Sequence, residues 1–403
     1  MQKTEVDMKT TKFFSMLALA IAGAACDEYV NEMPEPVAPR QEIILTDSTG
    51  TVLPAPTLRD IAKAISELPM RQEQLNEVYE AVSASSGNGY DEEYMMSDLF
   101  LAPGSGVGSD PAGRATKAVE YRTPLRDMLR DYFTAKFATK AGAADIEAYI
   151  NSLIESDAQI YWPYSEDWDG RTYPIVTFDP GYGAESNYGY EIRFDASGAR
   201  VVDSVFVDEK IAEERPVWVI NTNDDSAFTP LDMFLDSRET KATNASQPMK
   251  TLYLEDFMMR RNFDSWFGGA SEFFIKCGSA SGFKAETDDE LRLYNPEVTD
   301  FMIVVKRKQV MEQVAVDAVL VTDFTPQIEK IAFMIIEDDG GTTTSWKCSA
   351  SAKYQSKTYG FDLDLPYKDK DDIAWRGQLA AEYFQEGETT GKFGDVWATF
   401  RLE

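Results

Sequence analysis

Carboxylates are the groups with which this chain could do chemistry, and two sets of them stand out. Asp338 and Asp339, Asp362 and Asp364, and the trio Asp369, Asp371 and Asp372 all fall at the ends of strand-like segments. Residues two apart on a strand project from one face, so Asp362 and Asp364 share a direction. A hard cation such as Ca²⁺ takes about six to eight oxygens. Loops gathered at one end of a pair of sheets could supply Asp338, Asp339, Asp362 and Asp364 as its ligands. No contiguous Asp-x-Asp-x-Asp-Gly loop is present, and in so acidic a chain aspartate-rich turns that only face solvent are expected in any case.

The second set interleaves acids with aromatics: Tyr161, Trp162, Pro163, Tyr164, Ser165, Glu166, Asp167, Trp168, Asp169 and Gly170. A sugar ring stacks on an indole face while carboxylates take its hydroxyls, which makes Trp162, Glu166, Trp168 and Asp169 candidate ligand-binding residues. The same spacing also suits Trp162 in a core and Trp168 pinning a turn. Glycoside hydrolysis would need two carboxylates about 5 to 9 Å apart, a separation that spacing along the chain does not fix.

Histidine is absent, with a count of 0. That removes the Ser-His-Asp triad, the Cys-His pair, HExxH zinc sites and every histidine-ligated metal. What remains is paired carboxylates, a Ser-Lys dyad or an all-oxygen metal site. Ser271, in Gly269-Ala270-Ser271-Glu272, lacks the second glycine of a nucleophile elbow. The glycine-rich loop over 104–113 follows no predicted strand and ends in no Gly-Lys-Ser/Thr, so it is not a phosphate cradle. The net charge of -30, from 39 basic and 69 acidic residues, argues against nucleic acid and against docking on anionic lipid, since both require basic patches.

The elements that must position these residues begin with an amino-terminal leader. Lys9 and Lys12 precede an apolar run over 13–22, then Gly23-Ala24-Ala25-Cys26. This is a secretory signal, too short to span a bilayer. It resembles the lipoprotein type, with Gly23 where leucine is usual, and the resemblance implies that Cys26 becomes the first mature residue and carries acyl chains. Asp27, Glu28, Glu32 and Glu35 follow at once. Such an acidic run is similar to the export signal of surface lipoproteins in Bacteroidota-type Gram-negative bacteria, which implies the outer membrane and the cell surface.

Residues 1–25 are thus read as signal and 26–56 as a lipidated tether, with Pro34, Pro36, Pro39, Pro54 and Pro56 keeping it extended. Apolar residues at helical spacing mark a helical region over 57–157. It starts at Thr57, includes a short helix over 91–100, and restarts at Thr123-Pro124 with a cap and a first-turn proline. From Ile160 the period becomes alternating, and five short strands predict an antiparallel sheet region over 158–235, covered on one face by the helices. After a polar linker, seven or eight strands over 248–403 predict a β-sandwich. The fold class is α+β. Anchor, helical part, sheet and sandwich in this order resemble several families of exported bacterial lipoproteins without assigned function. The segment from Trp266 to Phe274 is similar to a sandwich-opening segment in some of them. Calcium-binding sandwiches of the C2-like kind gather loop carboxylates at one end, an architectural likeness that implies Ca²⁺ as the cofactor.

Cys277 and Cys348 sit in strand-like segments of an exported chain. A disulfide between them would contribute about 4 kcal/mol in the chain-entropy model, and two buried thiols fit as well. The expected function is that of a membrane-anchored cell-envelope lipoprotein, a non-catalytic adhesion or ligand-binding module whose partners are the membrane, through its lipid, and a glycan or protein ligand. A glycan-active enzyme with paired carboxylates and a calcium-dependent binding module are the alternatives.

Overall fold

Thr57 opens the first helix as its sequence requires: its hydroxyl accepts from the Asp60 amide at 3.1 Å, and the Asp60 carboxylate accepts from the Thr57 amide at 3.3 Å. The computed structural model describes residues 45–46, 52–53, 55–101, 121–138, 142–223, 230–231, 250–384 and 387–403. The signal, Cys26, the glycine-rich loop over 104–113 and the linker over 232–247 lie outside the described residues. Two short strands, β1 (Leu45–Thr46) and β2 (Val52–Leu53), pair within the stretch read as tether. No helix among the described residues is long and apolar enough to cross a membrane.

Five helices follow: α1 (Leu58–Glu67), α2 (Gln72–Gly87), α3 (Met96–Phe100), α4 (Leu125–Phe137) and α5 (Ala143–Ile154). Their apolar stripes, Ile61 and Ile65, Leu75 and Val78, Leu129 and Phe133, Tyr149 and Leu153, close over one face of a sheet. The cap of α4 is not the Thr123 hydroxyl that the sequence suggests. Glu77 of α2 accepts from the Leu125 amide at 2.7 Å and Glu73 from the Thr123 amide at 3.1 Å. Carboxylates borrowed from a neighbouring helix thus satisfy the orphan donors.

The helix expected over 91–100 is only half helical. Glu93–Met95 is an edge strand, β3, paired with β4 (Ala158–Tyr161), and helicity starts at Met96. The sheet continues with β5 (Ile175–Phe178), β6 (Ser186–Phe194), β7 (Arg200–Asp208) and β8 (Val217–Thr222), in the spatial order β3-β4-β8-β5-β6-β7. It is antiparallel except that β8 runs parallel to β5. Parallel neighbours need a crossover, and α6 (Glu209–Glu214) returns the chain for it.

Two facing sheets form the rest, a sandwich-like arrangement. One has the order β12-β9-β18-β17, from β9 (Lys250–Met259), β12 (Val314–Phe324), β17 (Gly387–Phe393) and β18 (Val396–Leu402). The other joins β10 (Ser271–Ser279), β11 (Glu297–Val305), β13 (Ile328–Glu337) and β16 (Asp372–Ala380). A short helix, α7 (Asp288–Leu293), links β10 to β11. Phe257, Phe273, Phe333 and Phe400 fill the space between the sheets.

A long hairpin, β14 (Thr343–Tyr354) with β15 (Lys357–Lys368), curls over the outer face of β10, where Leu363 and Leu365 meet Phe274 and Met302. The approach is close enough that a Cβ on Gly278 would lie 2.5 Å from Leu363 Cδ1. This geometry rules out the disulfide reading: Cys277 and Cys348 are both free. Cys277 faces the space between the sheets, whereas Cys348 rides the hairpin over the opposite face.

The loop from β9 to β10 joins the two parts. Trp266 and Phe267 pack under the other face of the first sheet, beside Ala212 of α6 and against Tyr161, Ile175, Val217 and Val219. Both faces of β8 are therefore buried, which is why its sequence is an unbroken apolar run over Val217–Ile220. The turn after β11 adds polar ties. Arg307 Nε donates to Glu209 at 2.7 Å, Arg307 Nη1 to the Asp264 carbonyl at 3.1 Å, and Lys306 to the Ser86 hydroxyl.

Candidate functional site

Past Tyr161 the edge of the sheet turns sharply. Tyr164 takes the left-handed conformation at φ 59°, and Ser165–Asp167 forms one 3₁₀ turn. Trp162 is fully buried (0% exposed), edge-on to Tyr79, Trp168 and Trp218 at centroid distances of 5.9, 5.2 and 5.6 Å. It is a core side chain, as one of the two sequence readings holds. Trp168 is half-buried, and its indole N–H donates to the Thr172 carbonyl at 2.9 Å.

Beside Trp168 opens a cleft of about 210 Å³ in which Tyr164, Asp167 and Asp169 face Arg215 and Pro216 beyond α6. Three of the four proposed ligand-binding residues, Trp162, Trp168 and Asp169, line it. Glu166 does not: its carboxylate lies 3.4 Å from Lys308.

Asp169 accepts from the amides of Arg171 and Thr172 at 2.8 and 2.7 Å and from the Thr172 hydroxyl at 2.7 Å. The Thr172 amide, its hydroxyl and the Arg171 amide hold this carboxyl below the ordinary aspartate range. Glu166 also lies below its ordinary value: partial burial pushes it up, but the hydrogen bond with Glu92, its own backbone N–H and the ammoniums of Lys306 and Lys308 outweigh that.

Sequence reasoning overlooked the residue that builds the turn. Asp91, Glu92 and Glu93 are all buried. Glu92 accepts from the Ser165 amide at 3.1 Å, its hydroxyl at 2.7 Å and the Tyr164 amide at 3.3 Å. Asp91 accepts from the Ala270 amide at 2.8 Å, and Glu93 from the Asn223 amide nitrogen at 2.7 Å. Three consecutive acids fit no single helix face, and that was the available signal.

Burial first, then the hydrogen bond to Glu166 and the charges of Asp91 and Glu166, push the Glu92 carboxyl up to about 9, with Lys306 pulling the other way. The folded state therefore keeps a proton that the unfolded chain loses above its ordinary value of 4.5. The stability contribution is full below that value and is lost as pH rises towards about 9. Glu92→Gln is expected to flatten the fall in unfolding free energy between those limits by up to about 1.4 kcal/mol per pH unit. Urea titrations at successive pH values measure it, and superimposable profiles would refute it.

The carboxylates first read as calcium ligands are not brought together. Both Asp338 oxygens take the Lys368 ammonium, at 2.9 and 2.7 Å, and Oδ1 also accepts from the Gly340 amide. Asp371 accepts from the Lys368 amide at 2.7 Å and the Asp339 amide at 3.3 Å, and Asp369 from the Thr342 amide at 2.7 Å. These aspartates close turns. Asp362 and Asp364 sit along β15 opposite Ser349 and Lys347. Even the nearer, Asp364, is about 13 Å along the strand from Lys368 at 3.3 Å per residue. Calcium through Asp338, Asp339, Asp362 and Asp364 is therefore corrected to turn closure and an exposed strand.

A different trio meets instead. One carboxylate oxygen each of Asp264, Glu272 and Glu337 lies within 4.8 Å of the others. Burial is the main reason that the carboxyls of Glu337 and Asp264 are both pushed up, and for Glu337 the hydrogen bond and charge of Asp264 add to it. The sequence signal was parity: Ile331, Phe333 and Ile335 of β13 point into the core, so Glu337 continues an inward row.

Comparison of the chain with protein-family models, with curated proteins and with solved structures returns no match.

Proposed function

We propose that this protein is a cell-envelope lipoprotein, tethered through Cys26, and that its β-sandwich and helix-covered sheet present a non-catalytic ligand-binding surface centred on the Trp168 cleft. The observation that carries the binding reading is the half-buried Trp168 face set among Tyr164, Asp169 and Arg215. An aromatic platform ringed by hydrogen-bonding groups suits the apolar face and the hydroxyls of a sugar. The cleft, at about 210 Å³, is below the roughly 300 Å³ of drug-sized sites, so it suits one ring rather than a whole chain.

Support for binding over hydrolysis comes from the carboxyls. A glycosidase needs an acid whose pKa is raised beside the bond it cleaves. The carboxyls that burial pushes up, Glu92, Glu255, Asp264, Glu337, Asp339 and Asp371, are not among the residues that line the cleft. Asp169, which does line the cleft, is pushed down.

Calorimetric titration of the full chain in detergent with a panel of mono- and oligosaccharides tests the reading. At least one sugar is expected to bind, and Trp168→Ala to weaken it about tenfold, or about 1.4 kcal/mol. Heat from no sugar, or turnover of any, overturns it. The anchor is checked in the same preparation: palmitate label is expected on the parent chain and not on Cys26→Ser.

A further inference from the structure

We propose that Asp264, Glu272 and Glu337 form a site for one hard divalent cation, Ca²⁺ by preference. The three carboxylates come from three segments: the loop between β9 and β10, the start of β10 and the end of β13. Their oxygens lie within 4.8 Å of one another. Calcium binds oxygen at about 2.3–2.6 Å, so two ligands of one ion are at most about 5 Å apart, and the trio already satisfies that condition.

A second observation points to a ligand independently of the clustering. The Glu337 side chain is 0% exposed, yet apart from its contact with the Asp264 carboxyl neither of its oxygens has a hydrogen-bond partner. A buried carboxylate without a donor is costly and asks for a counter-charge.

The neighbouring cations are otherwise engaged. Lys368 is held by Asp338, Arg261 by Asp395 and Asp372, and Arg307 reaches the Asp264 carbonyl but its ion pair is with Glu209. Among the described residues no lysine or arginine forms an ion pair with the carboxylates of Asp264 or Glu337. In the same loop, Asn262 Oδ1 is also buried without a donor. Oxygen donors with no nitrogen or sulfur select Ca²⁺, Mg²⁺ or Mn²⁺ over zinc or copper. Ca²⁺ tolerates irregular carboxylate sets, whereas Mg²⁺ demands near-ideal octahedral geometry and gives up its waters reluctantly.

The scaffold around the trio is fixed. The Asp338 amide donates to the Glu272 carbonyl at 2.9 Å, which locks the ends of β10 and β13, and the Phe263 amide donates to Ser271 Oγ at 3.1 Å, which holds the loop. That loop carries Trp266 and Phe267 under the first sheet. A cation at its base would stiffen the joint between the two parts of the molecule.

The test uses the full chain in detergent, stripped with EDTA and titrated with CaCl₂, read by calorimetry and by thermal melting. One Ca²⁺ per chain and a rise of several degrees in the melting midpoint are expected, with a smaller rise from MgCl₂. Glu337→Gln and Asp264→Asn should each lose the calcium heat and the rise, while Asp362→Asn combined with Asp364→Asn keeps both. Should Glu337→Gln fail to fold, the half-buried Asp264→Asn carries the test alone. The proposal is overturned by a parent chain whose midpoint follows pH but not millimolar Ca²⁺, as a proton shared between Asp264 and Glu337 would produce. A calcium response that survives these substitutions, or a larger rise with MgCl₂, overturns it equally.

Discussion

Trp266→Ala is expected to lower the unfolding free energy by about 3–5 kcal/mol. The indole is 0% exposed and lies against Phe267, with ring centroids 4.0 Å apart. Together with Ala212 of α6 they cover the face of the first sheet opposite α1–α5. Truncation opens a cavity there and also strands the Glu185 carbonyl, which accepts from the indole N–H at 2.9 Å. Trp266→Phe restores much of the apolar area but not that donor, so it should recover part of the loss and leave about 1–2 kcal/mol. Urea denaturation of the two variants beside the parent supplies the numbers. An unchanged midpoint in Trp266→Ala would mean that the loop from β9 to β10 does not hold the two parts together.

Arg307→Met should cost about 3 kcal/mol. The guanidinium is almost entirely enclosed and satisfies three acceptors: the Glu209 carboxylate and the carbonyls of Asp264 and Gly269, the last at 3.3 Å. Removing it leaves a carboxylate facing an apolar side chain, and breaking one partner of an enclosed pair costs more than the pair contributes. The figure is set at the low end of the about 3–5 kcal/mol range because Glu209 keeps 31% of its side-chain surface in water. Tyr164 also donates to Glu209, at 3.1 Å, so some of the charge remains hydrogen-bonded. In a double-mutant cycle, Glu209→Gln should be less harmful in the Arg307→Met background than in the parent. Strictly additive losses would refute the coupling.

The parts of this structure that a reader of the sequence can foresee are those governed by neighbours along the chain. The Thr57 cap, the apolar stripes of α1, α4 and α5, and strands such as Val314–Phe324 follow from local spacing and appear where that spacing puts them. What escaped notice depends on contacts between distant residues. Nothing near Pro124 announces that Glu73 and Glu77 will cap α4. The strands Asp372–Ala380 and Gly387–Phe393 are largely exposed and mix small and polar residues, so they lack the apolar alternation that marks a half-buried strand. Register with β13 and β18 makes them strands.

The candidate sites divide in the same way. Trp162, Trp168 and Asp169 are consecutive enough for one turn to gather them, so the aromatic cleft was within reach of sequence reasoning. Asp264, Glu272 and Glu337 converge only because β10 pairs with β13 and a loop folds back beside them. The aspartates that looked most like ligands, Asp338 among them, are occupied by lysine and by turn amides.

The placement of the two cysteines bears on where this body can mature. Burial pushes the Cys277 thiol up to about 12 and the Cys348 thiol up to about 11, so both stay protonated and poorly nucleophilic near neutral pH. With a β-sheet between them, Cys277 and Cys348 have no bond to form, so the described residues need no oxidase or isomerase to fold. The fold of the described residues is therefore indifferent to whether its surroundings are reducing or oxidising.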